Sequence, residues 1–96
     1  MAKLHHSGTA QETALRQAAV IRGMIDDLGR TIHIFNIDIL TEEERVLVFD
    51  RSDPAYPILA RTLTARRDNL IVTVADLAER LHAITATIPA AIPEAA

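Results

Sequence analysis

The sequence predicts an all-α protein, a long antiparallel helical hairpin that pairs with a second hairpin into a four-helix bundle. Three observations predict it. Apolar residues recur at alternating steps of three and four on both sides of a single break, which is the spacing of one helix face. The break, residues 50–54, is short. The apolar stripe is also wider than contact with one neighbouring helix requires, so each helix keeps a flank for another neighbour.

The first helix is expected over about 10–49, after a flexible N-terminus at 1–9. Thr41-Glu42-Glu43-Glu44 matches a capping box, so a new helix could begin there. The apolar spacing nevertheless continues in phase to Phe49, which favours one helix with room for a kink near 40–41. A strand over 45–49 is the other alternative, because Val-Leu-Val-Phe favours extended structure. The helix face consists of Ala14, Ala18, Ile21, Ile25, Leu28, Ile32, Phe35 and Ile39.

A turn at 50–53 and a second helix over about 54–87 follow. Asp53 is a suitable N-cap, and Pro54 fits the first helical position. Pro89 and Pro93 cannot continue the helix, so 10–88 is the predicted hairpin domain and 89–96 a Pro/Ala-rich tail. The second helix face consists of Tyr56, Ala60, Leu63, Arg67, Leu70, Val74, Leu77, Leu81 and Ile84.

The composition limits the function classes. A net charge of −3 argues against nucleic-acid binding driven by overall charge. The absence of cysteine excludes thiol catalysis and cysteine-bound zinc, and only Ser7 and Ser52 could supply a serine nucleophile. No apolar run approaches the roughly 20 residues of a membrane helix. With no secretory signal at the N-terminus, we expect a cytoplasmic protein that is not an enzyme.

The apolar flanks predict a homodimer or a higher assembly. A single hairpin would leave both apolar flanks exposed to solvent, and most soluble oligomers consist of identical chains. A different protein as the partner is the alternative. The flank residues are Val20, Met24 and Ile34 on one helix and Leu59, Ile71 and Ala78 on the other. The predicted interface residues are Ile25, Leu28, Ile32, Phe35, Leu70, Val74, Leu77 and Leu81.

Arg67 is the one charged residue on either predicted helix face. A buried polar residue at such a position can set the register or the oligomeric state. Alternatively, its stem packs while the guanidinium reaches water or a carboxylate such as Asp38.

A metal site is the alternative function. Glu79 and His82 form a Glu-x-x-His pair, which occurs twice in four-helix di-iron proteins. Here it occurs once, so a ferritin-like site would need two chains, with Asp26 or Asp27 expected level with the pair. Because both residues lie off the apolar face, an exposed Glu and His are the ordinary interpretation, and we expect no cofactor.

One basic cluster comprises Arg61, Arg66 and Arg67, with Arg51 nearby, and no aromatic residue lies between Arg61 and Arg67 for base stacking. Ion pairs on a solvated helix face explain it without a nucleic-acid partner. The sequence as a whole therefore predicts a non-enzymatic protein–protein interaction or assembly module.

Overall fold

The chain folds into two long helices. The computed structural model describes residues 2–88, with side chains from Thr9 onward. Helix α1 spans Ala2–Val46, helix α2 spans Ile58–Ala86, and turns occupy the segment between them. The two helices pack against each other and run antiparallel, which confirms the predicted all-α hairpin. The pairing of two hairpins stays a prediction, and the predicted tail at 89–96 lies outside the described residues.

The hairpin is a rod of 69 × 29 × 17 Å. Its length is that of α1, since 45 residues at about 1.5 Å each give about 68 Å. Contacts of Asn36 with Arg67 and of Glu43 with Tyr56 set the relative height of the helices. They place Ala86 roughly level with residue 15 of α1, so the first turns of α1 extend beyond the end of α2.

Helix α1 differs from its expected bounds of about 10–49 at both ends. It begins at Ala2, because a nucleated helix gains one hydrogen bond for each residue it adds. It also runs through Thr41, whose hydroxyl donates to the Ile37 carbonyl oxygen at 2.8 Å instead of capping a new helix. Leu47, at φ 59°, ends the helix, so 45–49 is a helix end followed by a turn, with no strand.

The three glutamates of the expected capping box lie instead near the C-terminal end of α1, where the helix dipole disfavours carboxylates. Glu42 accepts a hydrogen bond from Arg45 at 2.9 Å, and this bond holds the pKa of the Glu42 carboxyl below its usual value. Glu43 accepts a hydrogen bond from the Tyr56 hydroxyl at 2.7 Å. Two of the three carboxylates are thus compensated by specific partners.

Helix α2 begins at Ile58 rather than Pro54. Asp53 caps a turn, because its carboxylate accepts the Ala55 N–H at 2.8 Å and its carbonyl accepts the Tyr56 N–H at 3.0 Å. Pro57 disfavours helical geometry at the residue before it and is itself extended, with ψ 133°. The first helical hydrogen bond therefore runs from Arg61 N to Pro57 O, at 3.1 Å.

Asp50 closes the preceding turn. Its carboxylate accepts the Ser52 N–H at 2.9 Å and the Ser52 hydroxyl at 2.8 Å. These hydrogen bonds, the backbone one foremost, hold the pKa of the Asp50 carboxyl below its usual value. The connection is thus ordered by side chains within it.

The hairpin is well covered near its two ends and poorly covered between them. The closed-end core consists of Ile39, Tyr56, Ala60 and Leu63, with Phe35 and Val48 packed against it. A second group of buried residues, Ala18, Ile21 and Leu77, lies toward the open end. Between them the facing residues are only half-buried; they are Ile25, Leu28, Ile32, Leu70 and Val74. In the described part of the chain no large side chain is fully buried.

Leu47 provides a test of how α1 ends. Its side chain is 77% exposed and its backbone is left-handed, which costs a residue other than glycine about 1 kcal/mol. We expect Leu47→Gly to raise the free energy of unfolding by up to about 1 kcal/mol in urea titrations, less the entropy that glycine adds to the unfolded chain. Leu47→Ala keeps the left-handed cost and is the matched control. Equal stability of the two variants would contradict this account.

Candidate interaction surface

The predicted faces are the buried stripes of both helices. Every residue of the two faces, from Ala14 to Ile39 and from Tyr56 to Ile84, is buried or half-buried. Of the eight predicted interface residues, Leu77 is buried, at 7% exposure, and the other seven are half-buried. A helix in a bundle contacts neighbours on two sides, whereas each helix here has one neighbour. Half-burial is the result expected for a bundle face that is covered from one side.

Large apolar side chains remain exposed beside these faces. Val20 is 62% exposed, Ile34 54% and Leu59 52%. Isolated exposed apolar residues are normal on protein surfaces, but contiguous ones mark interaction sites. All predicted flank residues except the small Ala78 belong to this set. The large exposed apolar side chains on the helices are Leu15, Val20, Met24, Ile34, Ile37, Leu40, Ile58, Leu59, Ile71 and Val72.

An open groove of about 620 Å³ lies on α1, halfway along the hairpin. Its lining forms two parallel rows on the helix surface, each with a spacing of four residues. Gly29 lies in the middle of one row, and a Cβ added there would have no atom within 4 Å. The groove residues are Ile25, Asp26, Gly29, Arg30, His33 and Ile34. We call this set the Gly29 groove.

The sequence interpretation did not identify the Gly29 groove. A glycine inside a helix costs about 1 kcal/mol relative to alanine, and that local cost was the available signal. Gly23 and Gly29 carry the same cost, and neither has a neighbour within 4 Å of an added Cβ. Only the position of Gly29 beside the half-buried middle of the hairpin distinguishes the two.

The charged residues of the groove are weakly engaged within the chain. Arg30 pairs with Asp27, but both side chains are about 70% exposed, so the pair contributes well under 1 kcal/mol. Asp26 and His33 are exposed, and neither side chain makes a hydrogen bond or ion pair with residues 9–88. An acidic group and a group with N–H donors thus lie one on each side of Gly29.

Arg67 joins the two helices. Its Nη1 donates to Asn36 Oδ1 across the hairpin at 3.0 Å, and its Nε and Nη2 donate to Asp68 Oδ1. The carboxylate that balances Arg67 is therefore its neighbour Asp68 and not Asp38. The Arg67 side chain is only 18% exposed, whereas its bond to the exposed Asn36 lies at the surface and marks the relative height of α1 and α2.

The residues of the metal alternative do not converge within one chain. Glu79, His82, Asp26 and Asp27 are all exposed. The cross-helix contacts place Asp26 level with about residue 75, roughly one turn before Glu79. In the described part of the chain, no three His, Cys, Asp or Glu residues are grouped so that they could hold a metal ion. Such a site would need ligands from a second chain, so this alternative stays a prediction.

Two members of the basic cluster stabilise the closed end. The Arg61 guanidinium lies 5.3 Å from the centre of the Tyr56 ring, a cation–π contact, and Nη1 donates to the Arg51 carbonyl at 3.1 Å. Tyr56 is 3% exposed, and its hydroxyl bonds to Glu43. Burial, followed by this hydrogen bond, raises the pKa of the Tyr56 hydroxyl above its ordinary value.

Comparison of the chain with known proteins identified no related protein. The chain matches no protein-family model, no curated protein and no solved structure. Neither helix, over the described residues, combines the length and apolar character needed to cross a membrane. The surface is therefore interpreted from its own geometry and charge.

Tyr56 gives a prediction about alkaline pH. A raised pKa means that the folded protein holds the hydroxyl proton more tightly than the unfolded chain, so stability falls as the pH rises above about 10. We expect Tyr56→Phe to cost about 1 kcal/mol at neutral pH through the lost hydrogen bond, and to abolish this alkaline loss. Tyr56 is the only tyrosine, so urea titrations at a series of pH values measure it directly. If the free energy of unfolding fell equally with rising pH in wild type and in Tyr56→Phe, the alkaline loss of stability would not come from Tyr56.

Proposed function

We propose that this protein is a non-enzymatic assembly module, and that its hairpin pairs with a second copy to form a four-helix bundle. The observation that carries this proposal is the half-buried middle of the hairpin. Five large apolar residues there face the other helix, yet none is buried. A second hairpin laid over them would cover what the first leaves open.

The packing of helices in stable domains supports this interpretation. In stable domains the apolar stripe of each helix is buried against a packed neighbour, and the pair of helices described here covers each stripe from one side only. We propose that a second hairpin supplies the remaining cover. Each 100 Å² of apolar surface that it covers contributes about 2.5 kcal/mol, before the cost of association.

A second copy is the partner we favour. Homo-oligomers are the commonest assemblies. In a two-fold pair of hairpins both copies bury the same surface, so neither copy keeps that surface exposed. The cysteine-free composition fits the cytoplasm, where we place this assembly. A different protein in place of the second hairpin would leave the isolated chain monomeric, so the mass in solution separates the two.

Sedimentation and light scattering provide the test. We expect a particle of twice 10.5 kDa or more at micromolar concentration. Leu77→Asp should abolish association and folding together, because it places a carboxylate at a buried position and costs about 4 kcal/mol or more. Leu28→Asp should act in the same way at a half-buried position.

Ala65→Asp is the control, since Ala65 is exposed on α2 outside the predicted faces and flanks, and the change should leave fold and mass intact. Circular dichroism reports the fold of each variant. A wild-type chain that is a compact, heat-resistant monomer would overturn the proposal, as would a Leu77→Asp chain that remains a folded dimer.

A further inference from the structure

We propose that the two copies meet at the Gly29 groove, with α1 of one copy antiparallel to α1 of the other. The two-fold axis passes between Gly29 and Arg30. This inference rests on the proposed self-association and names the surface that produces it. The occupant of the groove is the same groove of a second chain.

The groove is complementary to itself. In an antiparallel two-fold contact, residues equally far from the axis in opposite directions lie at the same height, and they meet when both point toward the partner helix. Two couples of groove residues do so, Asp26 with His33 and Gly29 with Arg30. The first couple places an acid against a hydrogen-bond donor, and the second places a residue without a side chain against a long one. Ile25 and Ile34 are about two and a half helical turns apart, so they lie on opposite flanks of the contact. Each couple occurs twice in the dimer.

The Asp26 couple sets the direction of the contact. The Asp26 carboxylate accepts hydrogen bonds, and the imidazole of the partner's His33 supplies an N–H. Neither group has another hydrogen-bond or ion-pair partner within residues 9–88, so the pairing breaks no interaction there. A parallel contact would place Asp26 against the partner's Asp26, and such like-charge contacts are costly at an interface.

The Gly29 couple allows a close approach. With no atom within 4 Å of an added Cβ, the space over Gly29 admits the side chain of the partner's Arg30. Arg30 is free to reorient because its exposed pair with Asp27 contributes little. A small residue at the crossing point also brings the two helix backbones nearer together.

The two isoleucines of the groove lie on its opposite flanks. Ile25 is half-buried on the α1 face and also lines the groove, whereas Ile34 is 54% exposed. The two-fold contact therefore lies at the height of the poorly covered middle of the hairpin and beside Ile25.

An exchange of the Asp26 couple tests the register. His33→Asp places two like-charged couples in the dimer, and we expect the dimer dissociation constant to rise tenfold or more. Asp26→His removes the acceptor and should weaken the dimer as well. The double variant D26H/H33D restores an acid opposite an imidazole, so its dissociation constant should return to within about threefold of wild type. Sedimentation equilibrium measures all four proteins.

The matched control is His82→Asp, which makes the same chemical change at an exposed position of α2 outside the groove. It should leave the dissociation constant unchanged. A His33→Asp dimer as tight as wild type, or a double variant no tighter than the single ones, would overturn the groove contact while leaving the proposed self-association standing. A monomeric wild-type chain would overturn both.

A cross-link supplies a second measurement that does not depend on the charges. The chain contains no cysteine, so Arg30→Cys introduces a single thiol beside the proposed axis. A short bismaleimide should join two copies in high yield, whereas Arg80→Cys on exposed α2 should not cross-link. Equal yields from the two variants would contradict the axis.

Discussion

The constraint on which the rest of this structure depends is that two helices share only one contact. Each helix of the hairpin has a stripe of apolar residues, and the other helix covers that stripe from one side. At the ends, local features add cover, and Ala18 or Ile39 becomes buried. In the middle none of the described residues adds cover, so the large residues there stay half-buried. The proposed self-association is a direct response to that geometry.

The closed end is the part of the hairpin that its own residues stabilise. Pro57 delays the start of α2, which leaves room for turns capped by Asp50 and Asp53 and for Tyr56 to enter the core. The Tyr56 hydroxyl then bonds to Glu43 and so compensates a carboxylate near the end of α1. Apolar packing, capping and charge compensation coincide there. By contrast, the middle depends on apolar contact and on the Arg67 bond to Asn36. Stability is therefore uneven along the rod, and the middle gains most from a partner.

Gly29 lowers the stability of α1 locally but also shapes the surface at which we propose that two copies meet. It weakens α1 as an isolated helix, yet it opens the groove at the height where the hairpin lacks cover. The charges beside it are exposed and weakly engaged, so they add little to the single hairpin. Placed against a second copy, the same groove matches acid with donor and glycine with arginine. Features that contribute little to the monomer thus become consistent with one another in the proposed dimer.

The period of the apolar residues, by itself, determined the two helices, the residues on their facing stripes and the approximate site of the turn. That information is local, because a spacing of three and four can bury one face only in a helix. It also predicted that Val20, Ile34 and Leu59 would be exposed flanks. The helix ends escaped prediction: α1 persists from Ala2 and through Thr41, and Pro57 overrides the Asp53 signal. Only the tertiary structure decided which parts of the stripe are covered, because that cover depends on the height at which α2 lies along α1, where Arg67 meets Asn36 across 31 residues of sequence. It also decided which of the two glycines of α1 lies in a groove beside the half-buried middle.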